Sequence, residues 1–411
     1  MSYKDNGIIE SKHKLKAAKI LLLTGAGASQ DFGYSTAQNL IWDEEFKSQN
    51  ALTENQVESS RAKTVAELLE MKWLIEKVRQ ILRVKNNGDD PIFEAIIMQL
   101  TRYKDIANAH NVDYLLSQLY QPDTAQRVKN RSIEKKLTDA LTKCYEILLK
   151  NYGPQIINKN NPTLQNLPLI FKDLAGFNSD NYLDIYTTNY DCSYQVLGSR
   201  SNNVAFYSHI NAIEKQPGLF IEDKWFRSRN DLNDEKLPKV FIHRLHGCVA
   251  WFDSRRVEGG AGFSYEKNGA DASANLFEGI TEPELNEMCV KLIATPLLGI
   301  NRVFASAFEE FSEQLKSVEK LIVWGYSFRD LEVTRQINAA LDSRERENNP
   351  LSVYYIDKYM PIDDAFQNIR KALQGAPVSP SKNLESRLHR IPWHPGEGMK
   401  KLSELLEEII K

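Results

Sequence analysis

Five short polar stretches carry residues whose types could do chemistry, and each follows an apolar run. The first is Thr24-Gly25-Ala26-Gly27-Ala28-Ser29, with Gly33 four residues on. Glycines without a Cβ let the backbone turn tightly and bring N–H groups against a phosphate, and a following helix N-terminus adds partial positive charge. Ser29 could hydrogen-bond the same anion, so Gly25, Ala26, Gly27 and Ser29 form a candidate phosphate loop. A glycine turn with only a packing role is the alternative. No Gly-Lys-Ser/Thr follows, and Gln30 stands where a dinucleotide fingerprint has its third glycine, so neither familiar phosphate motif is present.

The second stretch, Thr187-Thr188-Asn189-Tyr190-Asp191, offers an amide and a carboxylate to a cleft, or else an Asx turn capping a helix. In the third, His246 precedes Gly247 at a turn and is the candidate general base, because imidazole titrates near neutral pH. His243 is the decoy, since a lone histidine is more often a hydrogen-bonded structural residue. The fourth, Gly325-Tyr326-Ser327, combines close backbone approach with a hydroxyl, and a helix is expected from Phe328. Asp357 ends the last run and suits a ribose or adenine-edge partner.

Residues Ile20 to Leu23 are too few to nucleate a helix and read as a buried strand. Similar runs recur at 183–187, 240–245, 319–326 and 352–357, with helix-period segments at 301–317, 328–342 and 361–374. Strands alternating with helices predict an α/β fold, a Rossmann-like doubly wound parallel sheet that holds its ligand beyond the C-terminal strand ends. All five polar stretches lie at such ends. Between the first two strands, helical periodicity at 57–84, 91–101, 111–120 and 130–151 predicts a helical insertion over about 50–155 within a single domain spanning 1–411. The glycine-, serine- and charge-rich stretch 253–275 reads as a mobile loop or lid, or as a surface insertion. Residues 396–410 read as an amphipathic helix that packs on the domain or on another subunit.

An apolar content of 42% and a charged content of 26% describe an ordinary globular chain, and a net charge of −3 gives no general attraction to nucleic acid or membrane. A local patch from Arg244, Arg255, Arg256 and Arg302 is the remaining route to DNA. The N-terminus lacks the plan of a signal peptide and no run reaches membrane-spanning length, so a cytoplasmic protein is expected. Cys144, Cys192, Cys248 and Cys289 form no Cys-x-x-Cys pair, which argues against a zinc ribbon or a disulfide framework.

Taken in order, Gly25-Ala26-Gly27-Ala28-Ser29 with Gly33, Thr187-Thr188-Asn189-Tyr190-Asp191, His246-Gly247 and Gly325-Tyr326-Ser327 resemble the sirtuin family. The likeness covers most of 19–357, outside the helical insertion. It implies NAD as substrate, with Gly25, Ala26, Gly27 and Ser29 on the phosphates and ribose, and Gly325 and Ser327 on the adenosine side. It further implies Asn189 as the ribose-side catalytic residue, Asp191 near the nicotinamide amide and His246 as base. Deacylating sirtuins carry two cysteine pairs on a structural zinc and read Gly-Ile-Pro after the glycine loop; this chain has neither, so no zinc is expected and NAD hydrolysis replaces deacylation. The pattern, with Phe328-Arg329-Asp330, is similar to the zinc-less sirtuin-like effectors that deplete NAD in bacterial anti-phage defence. The nearest likeness there is the partner of a HerA-type ATPase, which implies a homo-oligomer meeting nucleic acid only indirectly. With 54 residues after Asp357, a sensor is expected to be another protein. A non-catalytic NAD- or ADP-ribose-sensing module and a nucleic-acid-processing subunit are the alternatives.

Overall fold

The strand β1, Ile20–Thr24, is buried along its whole length, and its residues alternate between two cores. Ile20 and Leu22 face one hydrophobic cluster while Leu21 and Leu23 face the other. A strand covered on both faces needs apolar residues at every position, which is why this run shows no polar alternation. The computed structural model describes residues 20–34, 73–84, 93–108, 115, 119, 130–152, 160–161, 163–178, 181–208, 237–248, 302–328, 330–347, 349–357, 362–373, 388–392 and 404.

Six further strands complete one sheet: β2 Tyr182–Thr187, β3 Ala205–Ser208, β4 Lys239–Arg244, β5 Lys320–Trp324, β6 Ser352–Asp357 and β7 Leu388–Pro392. Their order is β3-β4-β2-β1-β5-β6-β7 and every pairing is parallel. From β1 the chain builds β2, β4 and β3 on one side, then returns to place β5, β6 and β7 on the other. The boundary between β1 and β5 is therefore the topological switch point, where open α/β sheets form their ligand crevice.

Helices Phe93–Asn108, Asn130–Tyr152 and Thr163–Phe177 share one core with Ile20, Ile185 and Ile322. Helices Arg302–Leu315, Leu331–Arg346 and Ile362–Leu373 share the other with Leu21, Val323 and Val353. This is the expected doubly wound α/β arrangement. Every described residue from 73 to 152 is helical, within the span assigned to the insertion.

Asn178 ties the start of the sheet together. Its amide accepts from Ile20 N–H at 2.8 Å and donates to the carbonyls of Ile20 at 3.0 Å and Tyr182 at 2.8 Å. One buried side chain thus satisfies backbone groups where β1 and β2 begin, groups that would be costly to leave unpaired.

Several elements differ from the sequence reading. Strands β3 and β7 and helix Thr163–Phe177 are additions, whereas helix Ser193–Arg200 follows the Asx turn weighed at Asp191. The helix after β5 begins at Leu331 rather than Phe328, because Phe328 is buried with φ 55° and Asp330 terminates the turn by accepting the N–H groups of Glu332 and Val333. The loop 253–275 lies outside the described residues, as does 396–410 apart from Glu404. Among the described residues, no helix is long and apolar enough to cross a membrane.

Candidate active site

The glycine turn after β1 packs against the turn after β5. Gly25 N–H donates to Trp324 O at 3.0 Å and Gly27 N–H to Gly325 O at 2.8 Å. A Cβ on Gly25 would lie 2.7 Å from Gly325 O, and one on Gly27 would lie 2.8 Å from Gly325 Cα. Gly325 itself has φ 63°, a left-handed conformation that favours glycine. All three glycines are required by this close approach. The N–H groups of Gly25 and Gly27 are bound to carbonyls, so the packing alternative describes what these two residues do in this structure.

Ser29, Asn189 and Asp191 form one buried network at the ends of β1 and β2. Asn189 Nδ2 donates to Gly25 O at 2.8 Å and to Ser29 Oγ at 2.7 Å. The amide orientation follows from its partner, since the Gly25 carbonyl can only accept. Ser29 Oγ donates to Asp191 Oδ2 in a short hydrogen bond, which commits the only proton of the hydroxyl. Asp191 Oδ1 accepts Ser193 N–H at 2.9 Å, the Asx turn anticipated as the structural alternative. Asn189 Oδ1 has no hydrogen-bond partner among the described residues, which leaves one acceptor of the network open.

Arg244, at the end of β4, reinforces this loop from below. Its Nη1 donates to Asn189 O at 2.9 Å, and its guanidinium lies 5.9 Å from the centre of the Tyr194 ring. At 1% exposure it cannot face DNA, which removes it from the basic patch; the side chains of Arg255, Arg256 and Arg302 fall outside the described residues. The sequence offers little warning, because an arginine at a strand end reads as surface.

His246 follows two residues later. Its Nε2 lies 2.6 Å from Asp330 Oδ2, an ion-pair contact joining the loop after β4 to the loop after β5. Burial pushes the Asp330 carboxyl up, but His246 and the N–H groups of Val333 and Glu332 outweigh it and hold the group below the usual carboxylate range. Tyr190 and Phe308 flank the imidazole, with ring centres 6.1 and 6.4 Å away. The sequence reading gives Asp330 no chemical role; it stands there only as the last residue of the Phe328-Arg329-Asp330 pattern after the fourth polar stretch.

His243 sits deeper, 3% exposed on β4. Its Nε2 contacts Asp184 Oδ1 at 2.7 Å, its Nδ1 is 3.5 Å from Glu310 Oε2, and its ring stacks on Tyr186 at 4.3 Å. Burial opposes the charge, but the two carboxylates outweigh it and push its pKa up to about 9. This is the environment of a structural imidazolium.

On the other side of the switch point, Gly325 N–H donates to Ile356 O at 2.8 Å, which brings Asp357 beside the β5 turn. Asp357 is buried and Ser327 half-buried, and Asn368 Nδ2 donates to Ser327 O at 2.9 Å. The candidate residues thus fall into two linked groups: Ser29, Asn189, Asp191 and His246 around β1, β2 and β4, and Ser327 with Asp357 around β5 and β6. Ala26 opens the short helix between them. Cys248 joins the first group, its thiol donating to Asp191 O at 3.6 Å. No family model matches the chain, and no curated protein does.

Proposed function

We propose that the chain hydrolyses NAD at the nicotinamide–ribose bond. The observation that carries this reading is the meeting of a buried Ser29–Asn189–Asp191 network and the His246–Asp330 pair at neighbouring strand ends, beside the switch point of a parallel sheet. In the proposed reaction the carbon–nitrogen bond breaks with its electron pair leaving on nicotinamide, and water supplies the oxygen that bonds to the ribose carbon. The proton released from that water passes to His246. Asn189 Oδ1, the open acceptor, holds the water or a ribose hydroxyl while positive charge develops on the sugar. Ser29 and Asp191 keep the amide in place, and Ser327 and Asp357 take the adenosine side.

The sirtuin-like order of the motifs supports NAD over other nucleotides, and the lack of cysteine pairs favours water over an acyl-lysine as the acceptor. On the same likeness, the chain acts as a NAD-depleting effector in anti-phage defence, as a homo-oligomer under a HerA-type ATPase partner. Oxygen-18 water tests the chemistry: hydrolysis places one labelled oxygen on the ribose carbon of ADP-ribose with one nicotinamide released. Acetyl transfer from a peptide without that label would defeat the proposal.

A further inference from the structure

We infer that Asp330 is the positioning residue of this site: it holds the proton of His246 on Nε2, so that the bare Nδ1 is the atom that accepts the proton in turnover. The inference rests on the hydrolytic reading for its consequence, but its geometry stands by itself.

The two oxygens of Asp330 are divided between two tasks. Oδ1 accepts the N–H groups of Glu332 at 2.9 Å and Val333 at 3.1 Å, capping helix Leu331–Arg346, while Oδ2 meets His246 Nε2 at 2.6 Å. The backbone is pinned as well, because Tyr326 Oη donates to Asp330 O at 3.2 Å. A carboxylate at a helix N-terminus is favoured by the helix dipole, and an ionised carboxylate can only accept. A neutral His246 must then carry its proton on Nε2 and leave Nδ1 as the lone-pair nitrogen. The Nε2–Oδ2 approach is a close electrostatic contact rather than an aligned hydrogen bond, so the carboxylate acts through its charge in favouring the proton on the nearer nitrogen, and the rings of Tyr190 and Phe308 flank the imidazole. The same division of labour, one group fixing a tautomer so that another can act as base, is how a carboxylate serves a catalytic histidine elsewhere.

Asp330→Asn makes a forced substitution. Capping requires an acceptor, so the asparagine oxygen must face the helix and its amide nitrogen must face His246. An amide donor at Nε2 demands a lone pair there and moves the ring proton to Nδ1. Asparagine is as good a cap as aspartate, so the fold is preserved.

The test is nitrogen-15 spectroscopy of the full chain labelled at histidine, at a pH where the ring is neutral, with His246→Gln to assign its signals among the seven histidines. The wild-type spectrum should show the proton on Nε2, and Asp330→Asn should show it on Nδ1. In the same variant, NAD turnover should fall about 10²–10⁴-fold while NAD affinity stays within about threefold. A neutral wild-type ring protonated on Nδ1, which needs no variant to observe, would overturn the inference, as would an unchanged tautomer in folded Asp330→Asn. If the tautomers behave as stated and no protein turns NAD over, the hydrolytic reading fails and the positioning role stands.

Discussion

Asn189 Nδ2 lies 2.7 Å from Ser29 Oγ, and the serine hydroxyl in turn donates a hydrogen bond to Asp191 Oδ2. The residue expected to meet a phosphate is therefore a strut between the amide and the carboxylate. Ser29→Ala should release Asn189 and leave Asp191 Oδ2 without its donor, at a cost of about 1–3 kcal/mol in stability. Its kcat should fall at least about tenfold with little change in KM, because positioning rather than ground-state binding is lost. Steady-state kinetics decides: a raised KM with kcat intact would return Ser29 to the phosphate.

Gly325 should be intolerant of any side chain. Its φ of 63° and its approach to Gly27 leave no room for a Cβ, and the clash is with backbone rather than with a side chain that could swing away. Gly325→Ala should destabilise by about 2–5 kcal/mol, from left-handed strain and forced separation of the β1 and β5 turns. Chemical denaturation measures this directly, and a variant as stable as wild type would mean the two turns separate freely.

The His243 environment makes stability depend on alkaline pH. Its pKa is raised from 6.5 to about 9, so the protonated form is the one the fold favours. Its contribution is fully present below about pH 6.5 and is lost as pH rises through about 9, by roughly 1.4 kcal/mol for each pH unit crossed between those two values. The difference in unfolding free energy between wild type and His243→Gln should shrink over that window. A difference that is flat or grows from about pH 6.5 to about pH 10 contradicts the assignment. Folded His243→Ala should retain turnover, since the ring lies beneath helix Arg302–Leu315 with Asp184 and Glu310.

The strand ends are readable because β1, β2, β4, β5 and β6 are apolar runs stopped by glycine or polar residues, and a parallel sheet must gather such ends on one edge. Strand β3 is not, since Ala205–Ser208 is only four residues at the sheet edge with too little pattern to register. Helix Thr163–Phe177 carries Pro168, which reads as a break, yet its buried face supplies Leu167, Phe171 and Leu174 to the core. Within the site, residue types suggest Asn189, Asp191 and His246, but not which side chains bind each other. The commitment of Ser29 to Asp191, the burial of Arg244 and the pairing of Asp330 with His246 arise from contacts 55 to 162 residues apart or between separate loops. No local pattern encodes them.

The most direct measurement is nicotinamide release from NAD by the full chain, alone and with the protein encoded beside it, compared with Asn189→Ala and His246→Ala. The account predicts nicotinamide and ADP-ribose in equal amounts from wild type under at least one of these conditions. Each variant should lose about 10²–10⁴-fold in rate while still binding NAD, because the Gly325, Ser327 and Asp357 side of the crevice is untouched. NAD bound but left intact by wild type under every condition, or turnover that survives both substitutions, would contradict it.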